Sequence, residues 1–221
     1  MRIDWVAPAL AAHVPRLAHA YRVERRIERD AVAVTFDDGP HVRGTPAVLE
    51  VLARANATAT FFLVGEQVAA RPSLAREIAD AGHEIALHGY RHTLLLRRGV
   101  RELADDLQRA VAVIEDATGR TPTLYRPPYG VFSSGALAHV RPRWRPLLWS
   151  KWGRDWERRA TPASIARRAT TGLRAGDVVL LHDSDAYSSA DSWKRTAAAL
   201  PSVLEAVAGL GVPSVSVTQS T

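Results

Sequence analysis

The chain has 221 residues, of which 47% are hydrophobic and 24% are charged, a composition typical of a soluble globular protein with one large domain. Its net charge of +6 comes from arginines that are scattered among acidic residues, without a basic tract interleaved with aromatic residues, so we expect no nucleic-acid partner. The lack of cysteine excludes disulfides and thiolate metal sites, and no apolar run is long enough to span a membrane.

Residues 1–30 precede the regular pattern of the chain, and we predict that they form an irregular or helical extension packed on the domain of residues 31–221. They contain a short apolar segment, Trp5–Ala12, and a small-residue triplet, Ala18–Ala20, which together resemble a weak signal peptide. Because the apolar core is short and Asp4 is unusual in such a segment, we predict a cytoplasmic protein, with secretion as the alternative.

Strand-like and helix-like segments alternate from about residue 31 onward. Short apolar or β-branched runs predict seven strands: Ala31–Phe36, Ala57–Val64, His83–His88, Thr123–Arg126, Pro146–Ser150, Asp177–His182 and Pro213–Val217. Amphipathic stretches between them predict helices, for example Pro46–Arg54, Ser73–Ala81, Val100–Ala117, Pro162–Leu173 and Trp193–Ala208. This alternation favours an α/β fold, a single-domain distorted (β/α)7-type barrel, with a doubly wound open sheet as the alternative.

Polar side chains recur where the predicted strands end: Asp37 and Asp38 after the first, His88 at the third, Arg126 at the fourth, Ser150 and Asp155 after the fifth, and His182 at the sixth. An Asp-Gly pair is also common turn chemistry, which would explain the first two without any function. However, the functional groups of parallel α/β barrels gather at the carboxyl ends of the strands. The repeated placement therefore predicts a functional site at this edge.

The segment "HGYRH" carries His88 and His92, which are four residues apart and would face the same side of a helix. Two imidazoles on one side are a common way to bind a metal, and without cysteine the natural third ligand is a carboxylate. Asp38 would complete a three-ligand site with open positions, as a catalytic zinc requires. Two ordinary loop histidines remain the simpler interpretation, and non-haem iron oxygenases use the same kind of ligands.

Five segments in order resemble the motifs of the polysaccharide deacetylase family, also called carbohydrate esterase family four or the nodulation-protein-B homology domain. The resemblance extends from about residue 31 to 217 and includes the connecting segments "ATFFLVG" and "AGHEIALH". The motifs are "TFDDGP" (Thr35–Pro40), "HGYRH" (His88–His92), "RPPYG" (Arg126–Gly130), a partial match "DW" (Asp155–Trp156) and "LLH" (Leu180–His182).

The resemblance implies a metal-dependent hydrolase that removes acetyl groups from N-acetylated sugars. We predict that the protein is a monomer. The resemblance also implies a divalent metal, usually zinc with Co²⁺ or Ni²⁺ as substitutes, held by Asp38, His88 and His92. Asp37 would act as general base, and Arg126 would keep it ionised and oriented.

For the other half of the reaction, the resemblance implies that His182 is the general acid, supported by Asp155. The backbone N–H of Tyr129 would stabilise the oxyanion. The residues expected to contact the substrate are Tyr129, Leu180, Trp156 and Trp152.

Two positions depart from the family pattern. Gly89 stands where the family usually has Ser or Thr, which normally supports the metal-binding loop, and Trp152 replaces the first aspartate of the fourth motif. The second change alters the polar network around Asp155 and places a bulky ring near the substrate cleft. Two alternative functions stay open at this point: hydrolysis of another small amide, such as a formamido sugar or a cyclic ureide, and a catalytically silent carbohydrate-binding relative.

Overall fold

A computed structural model describes residues 7–218 of the chain. Residues 1–6 and 219–221 lie outside the described residues, and so do Asp4 and the start of the weak apolar segment Trp5–Ala12. Within the described residues, no helix combines the length and the apolar character that a membrane crossing requires.

The centre of the molecule is a curled parallel sheet that forms a half-barrel surrounded by helices, so the predicted distorted (β/α)7 fold is confirmed. The described residues form the strands β1 (Val32–Asp37), β2 (Thr60–Leu63), β3 (Glu84–Leu87), β4 (Leu124–Tyr125), β5 (Arg145–Pro146), β6 (Lys151–Trp152), β7 (Val178–His182) and β8 (Ser214–Val215). Seven of them follow the order β5-β4-β3-β2-β1-β7-β6, and β8 pairs with the start of β1. All six residues of β1 are buried, as expected for a central parallel strand covered on both faces.

The helices lie around this sheet: α1 (Pro15–Ala20), α2 (Gly44–Arg54), α3 (Gly65–Ala70), α4 (Pro72–Asp80), α5 (Val100–Thr118), α6 (Ser134–Val140), α7 (Pro162–Thr170) and α8 (Ser192–Ala208). Short 3-10 turns occupy Ala7–Leu10, Leu95–Arg97 and Pro128–Gly130. Local sequence explains several helix ends. The side chains of Thr161 and Ser164 form a capping box at the start of α7, and α5 ends at Gly119, whose φ of 66° suits glycine.

The predicted strand Pro146–Ser150 is wrong as one continuous strand, because β5 ends at Pro146 and β6 begins at Lys151. The intervening backbone has other partners. Leu148 N–H donates to Glu24 O over 2.8 Å, and Glu24 N–H donates to Pro146 O over 3.0 Å, so the N-terminal segment takes the place of a neighbouring strand. The guanidinium of Arg126 donates to the carbonyls of Leu147 and Leu148. Through these bonds the segment between β5 and β6 crosses from one edge of the half-barrel to the other.

Residues 24–26 bridge the open side of the half-barrel. Besides the pairing of Glu24, Arg26 forms a backbone bridge and an ion pair with Asp177 just before β7. Arg25 donates to Trp149 O over 2.9 Å. The division into an extension of residues 1–30 and a domain of residues 31–221 stays a prediction.

Candidate active site

The carboxyl ends of four strands bring the predicted site residues together. Asp37 is the last residue of β1 and lies opposite His182, the last residue of β7, in the parallel register. Leu87 and Tyr125 are register partners in β3 and β4, so the residues that follow them, His88 and Arg126, are also neighbours. His88 Nδ1 lies 2.8 Å from Arg126 O.

Asp38, His88 and His92 form a compact group in which each residue offers one ligand atom and these atoms all lie within 4.8 Å of one another. Asp38 Oδ1 is 3.4 Å from His88 Nε2 and 3.2 Å from His92 Nε2. Asp38 is buried, and its Oδ1 has no hydrogen-bond partner among the described residues. Burial raises the pKa of Asp38, but the imidazoles of His88 and His92, together with the charge of His182, outweigh this effect and hold the pKa well below its usual range.

This group fits a divalent metal. A buried carboxylate oxygen without a partner, which faces two imidazole nitrogens, is the donor set that zinc and similar ions bind. The bond between His88 Nδ1 and Arg126 O leaves Nε2 as the ligand atom, which is how protein carbonyls usually orient metal-binding histidines. The segment His88–His92 is irregular and not helical, so a loop, not a helix face, places the two imidazoles side by side.

Asp37 lies beside this group and is held by Arg126. Arg126 Nη1 donates to Asp37 Oδ1 over 2.6 Å and to Thr35 Oγ1 over 2.9 Å, and the guanidinium packs 3.9 Å from the ring centroid of Phe62. Arg126 is fully buried, and burial lowers its pKa while the carboxylate of Asp37 opposes that change. The second oxygen of Asp37 is 3.9 Å from His88 Nε2. One adjacent carboxylate is therefore fixed by an arginine, and the other faces the histidines.

His182 is held by Asp155 on the other side of the site. Asp155 is fully buried; its Oδ1 is 2.9 Å from His182 Nδ1, and its Oδ2 accepts hydrogen bonds from His182 N–H and from Thr196 Oγ1, each over 2.7 Å. Burial lowers the pKa of His182, but the charge and hydrogen bond of Asp155, with smaller effects of Asp38 and Asp37, raise it to about 10. The surroundings of His182 therefore favour the protonated imidazole.

Tyr129 stands in the left-handed region of the backbone, with a φ of 62°. This conformation costs a non-glycine residue about 1–3 kcal/mol and is concentrated at functional sites. Its side chain is exposed, and its ring meets the ring of His92 edge-on at a centroid distance of 4.6 Å. The preceding residue, Pro128, is buried, so the backbone that leads to Tyr129 is fixed.

The predicted substrate contacts divide into two groups. Trp156 is half-buried and meets the ring of His182 edge-on at 5.3 Å, and the ring of Trp152 contacts that of Trp156 at a centroid distance of 5.5 Å. Leu180 lies two residues before His182 on the same face of β7 and is buried. The structure thus brings the two tryptophans to the His182 side of the site, whereas Leu180 occupies a core position.

Several residues at the site were not predicted from the sequence. Thr196 bonds Asp155 from α8, Asp106 bonds the backbone N–H of Tyr90 over 2.8 Å from α5, and Tyr187 stacks on His92 from the loop after β7. Each lies on an element remote in sequence from its partner, and no local spacing marks it.

Comparison with known proteins adds an independent finding, because the model of the polysaccharide deacetylase family matches residues 24–141. The chain belongs to this family. A chitooligosaccharide deacetylase of Azorhizobium caulinodans is 33% identical over 88% of this chain and 95% of its own length. A peptidoglycan-N-acetylglucosamine deacetylase of Listeria monocytogenes is 29% identical over 94% of this chain, but the chain spans only 42% of the length of that relative.

Solved structures of the family share the fold. A peptidoglycan N-acetylglucosamine deacetylase in complex with a naphthalenyl N-hydroxybenzamide superposes with a TM-score of 0.82 and 25% identity, covering 90% of this chain and 92% of the other. A family 4 acetyl xylan esterase from Clostridium thermocellum, in complex with a cobalt ion, has a TM-score of 0.78 and 28% identity over 85% of this chain and 88% of its own.

Proposed function

We propose that the protein is a metal-dependent hydrolase that removes acetyl groups from N-acetylated sugars. The main support for the proposal is that the two adjacent carboxylates have different partners. Asp38 faces His88 and His92, while Asp37 is turned to Arg126. A site that only bound metal would not need the second, separately held carboxylate.

The proposed metal is zinc, with Co²⁺ or Ni²⁺ as substitutes, held by Asp38, His88 and His92. The cobalt ion in the related acetyl xylan esterase supports a divalent ion in this family. When bound, the metal supplies positive charge that polarises an amide carbonyl and lowers the pKa of water.

Protein groups move the protons. Asp37, paired with and oriented by Arg126, takes the proton of the water that attacks the acetyl carbonyl carbon. The N–H of Tyr129 donates to the developing oxyanion. His182, protonated because of Asp155, gives its proton to the amine as the C–N bond breaks. The products are acetate and a free amino sugar. The rings of Trp156 and Trp152 are proposed to border the acyl group and the sugar.

A catalytically silent relative is not favoured, because Asp37, Arg126, Asp155 and His182 keep hydrogen-bonded positions that metal or sugar binding alone would not require. The relatives named above act on chitooligosaccharide and on peptidoglycan N-acetylglucosamine. We propose the same chemical class, an N-acetylated amino sugar, as the substrate.

The test is a mass-spectrometric screen of N-acetylglucosamine oligomers, peptidoglycan fragments and O-acetylated xylan with the zinc-loaded protein. We expect loss of an acetyl group from at least one N-acetylated substrate and release of an equal amount of acetate. The Asp37→Asn protein serves as the matched control and should show both at a rate lower by about a hundredfold or more. Turnover of O-acetylated xylan alone would replace the proposed deacetylase with an esterase, and no turnover of any substrate by the metal-loaded protein would contradict the proposal.

A further inference from the structure

The two histidines of the metal-binding group are oriented in different ways. His88 Nδ1 has a backbone carbonyl partner, Arg126 O at 2.8 Å. His92 Nδ1 is buried and has no hydrogen-bond partner among the described residues. A metal-binding histidine usually bonds a carboxylate, carbonyl or water through its second nitrogen, and this bond fixes the ring. Some other contact must therefore fix His92.

The ring of Tyr187 supplies that contact. It stacks on the imidazole of His92 with a centroid distance of 4.2 Å and an interplanar angle of 9°. The ring of Tyr129 closes another side edge-on, at 4.6 Å and 67°. Because Tyr129 is exposed, whereas Tyr187 is half-buried and anchored, Tyr187 is the more rigid of the two neighbours.

Tyr187 is anchored at its far end by α3. Its hydroxyl donates to Glu66 Oε1 over 2.6 Å and accepts from Gln67 Nε2 over 3.0 Å. The same end of α3 holds the metal-binding loop, because Gly65 N–H donates to Gly89 O over 2.8 Å and Glu66 N–H donates to Tyr90 O over 2.9 Å. One short helix thus fixes both the loop that carries His92 and the ring that packs on His92.

Gly89 explains why such support is needed. It follows His88 directly, carries no side chain that could brace the loop, and has a φ of 94°. At this φ an L-residue is strained, and a Cβ would come within 3.3 Å of Asp106 Oδ2. The loop is therefore braced from outside, by α3 and Asp106 along its backbone and by Tyr187 at the imidazole.

We propose that Tyr187 is a positioning residue of the metal centre: its tethered ring holds the imidazole of His92 with Nε2 directed at Asp38. This inference rests on the proposed metal site. The phenol hydroxyl acts only through its tether, while the aromatic ring contacts His92. Removal of an outer partner of a metal ligand typically weakens metal binding about tenfold to a hundredfold.

The test is zinc affinity of the metal-free protein, measured by competition with a chromogenic chelator. Tyr187→Leu, which keeps apolar bulk but no aromatic face, should weaken zinc binding about tenfold or more. Tyr187→Phe, which keeps the ring and loses the tether, should weaken it by less than Tyr187→Leu does. Tyr21→Ala removes a half-buried tyrosine from the N-terminal segment and should leave the affinity unchanged.

A spectroscopic readout checks the stacking contact itself, and the unfolding temperatures exclude general damage. In the metal-free protein, a stacked phenol ring shifts the imidazole protons of His92 upfield in the NMR spectrum. That shift should persist in Tyr187→Phe and Tyr21→Ala and disappear in Tyr187→Leu, with unfolding temperatures of the metal-free variants close to the parent. Parent-like zinc affinity in Tyr187→Leu overturns the inference and leaves the deacetylase proposal standing. Failure of the parent protein itself to bind zinc overturns both.

Discussion

Replacement of Asp155 by asparagine tests how the proposed general acid is kept protonated. Oδ2 of the buried carboxylate accepts hydrogen bonds from His182 N–H and from Thr196 Oγ1. Oδ1 forms a hydrogen bond with His182 Nδ1. In Asp155→Asn, the amide oxygen can keep the two donors on the Oδ2 side. The amide NH₂ then faces His182 Nδ1 and requires an acceptor there, which favours neutral imidazole with its proton on Nε2.

The size of the effect follows from the structure. A hydrogen bond to a charged group contributes about 1.5–3 kcal/mol, and one pKa unit corresponds to about 1.4 kcal/mol, so loss of this bond should lower the pKa of His182 by about one to two units. The parent pKa is raised from 6.5 to about 10 in the absence of metal. A bound cation opposes the contributions of Asp38 and Asp37, so the alkaline limb of the parent enzyme should lie between these values.

The assay is the pH dependence of kcat/KM for the zinc-loaded parent and Asp155→Asn proteins. Because His182 must be protonated to act as the acid, activity falls as pH rises through its pKa. The variant's alkaline limb should therefore shift about one to two units toward lower pH, with a lower maximum, while the acid limb moves much less. An alkaline limb at the parent position would refute the reasoning and show that another group sets this pKa.

The remaining predictions concern the metal-binding group and its buried arginine. Asp37→Asn should retain metal while turnover falls about a hundredfold or more, whereas Asp38→Asn should lose metal; equal metal loss by elemental analysis would contradict the proposed division. His92→Ala should lose most of its metal and activity together, and full metal content would remove His92 from the ligand set. Arg126→Met leaves the buried Asp37 without its ion-pair partner and should lower the free energy of unfolding in urea by about 3–5 kcal/mol; a loss below about 1 kcal/mol would contradict a stabilising role of this pair.

The fold class was predictable from the sequence because its signals are local. The run Val32–Phe36 is apolar and β-branched, and it became a strand buried on both faces. The amphipathic stretch from Val100 onward became the longest helix that the described residues contain. The split of the predicted strand Pro146–Ser150 was not predictable, because Glu24 and Arg126, both remote in sequence, take its backbone bonds.

The residues of the site were likewise predictable only in part. Residues that end strands, such as Asp37 and His182, were predicted because the sequence indicates where strands end. The carboxyl ends of parallel strands also lie at the same edge of the sheet. The roles of these residues in catalysis stay predictions, as do the metal-ligand roles, the monomeric state and the cytoplasmic location. Thr196, which bonds Asp155, and Asp106, which bonds the loop backbone at Tyr90, lie on helices remote in sequence from these partners, so the sequence alone does not mark them.

Gly89 and Tyr187 show how a departure from a motif can point to a remote contact. The missing hydroxyl at Gly89 is visible in the sequence, but it predicts only that the loop lacks a brace. The structure shows the brace on other elements: Asp106 bonds the loop backbone, and Tyr187 packs on His92 while Glu66 and Gln67 hold its hydroxyl. A metal-binding loop must resist rotation of its ligands whichever element supplies the contact, and in this protein the contacts come from residues outside the motif.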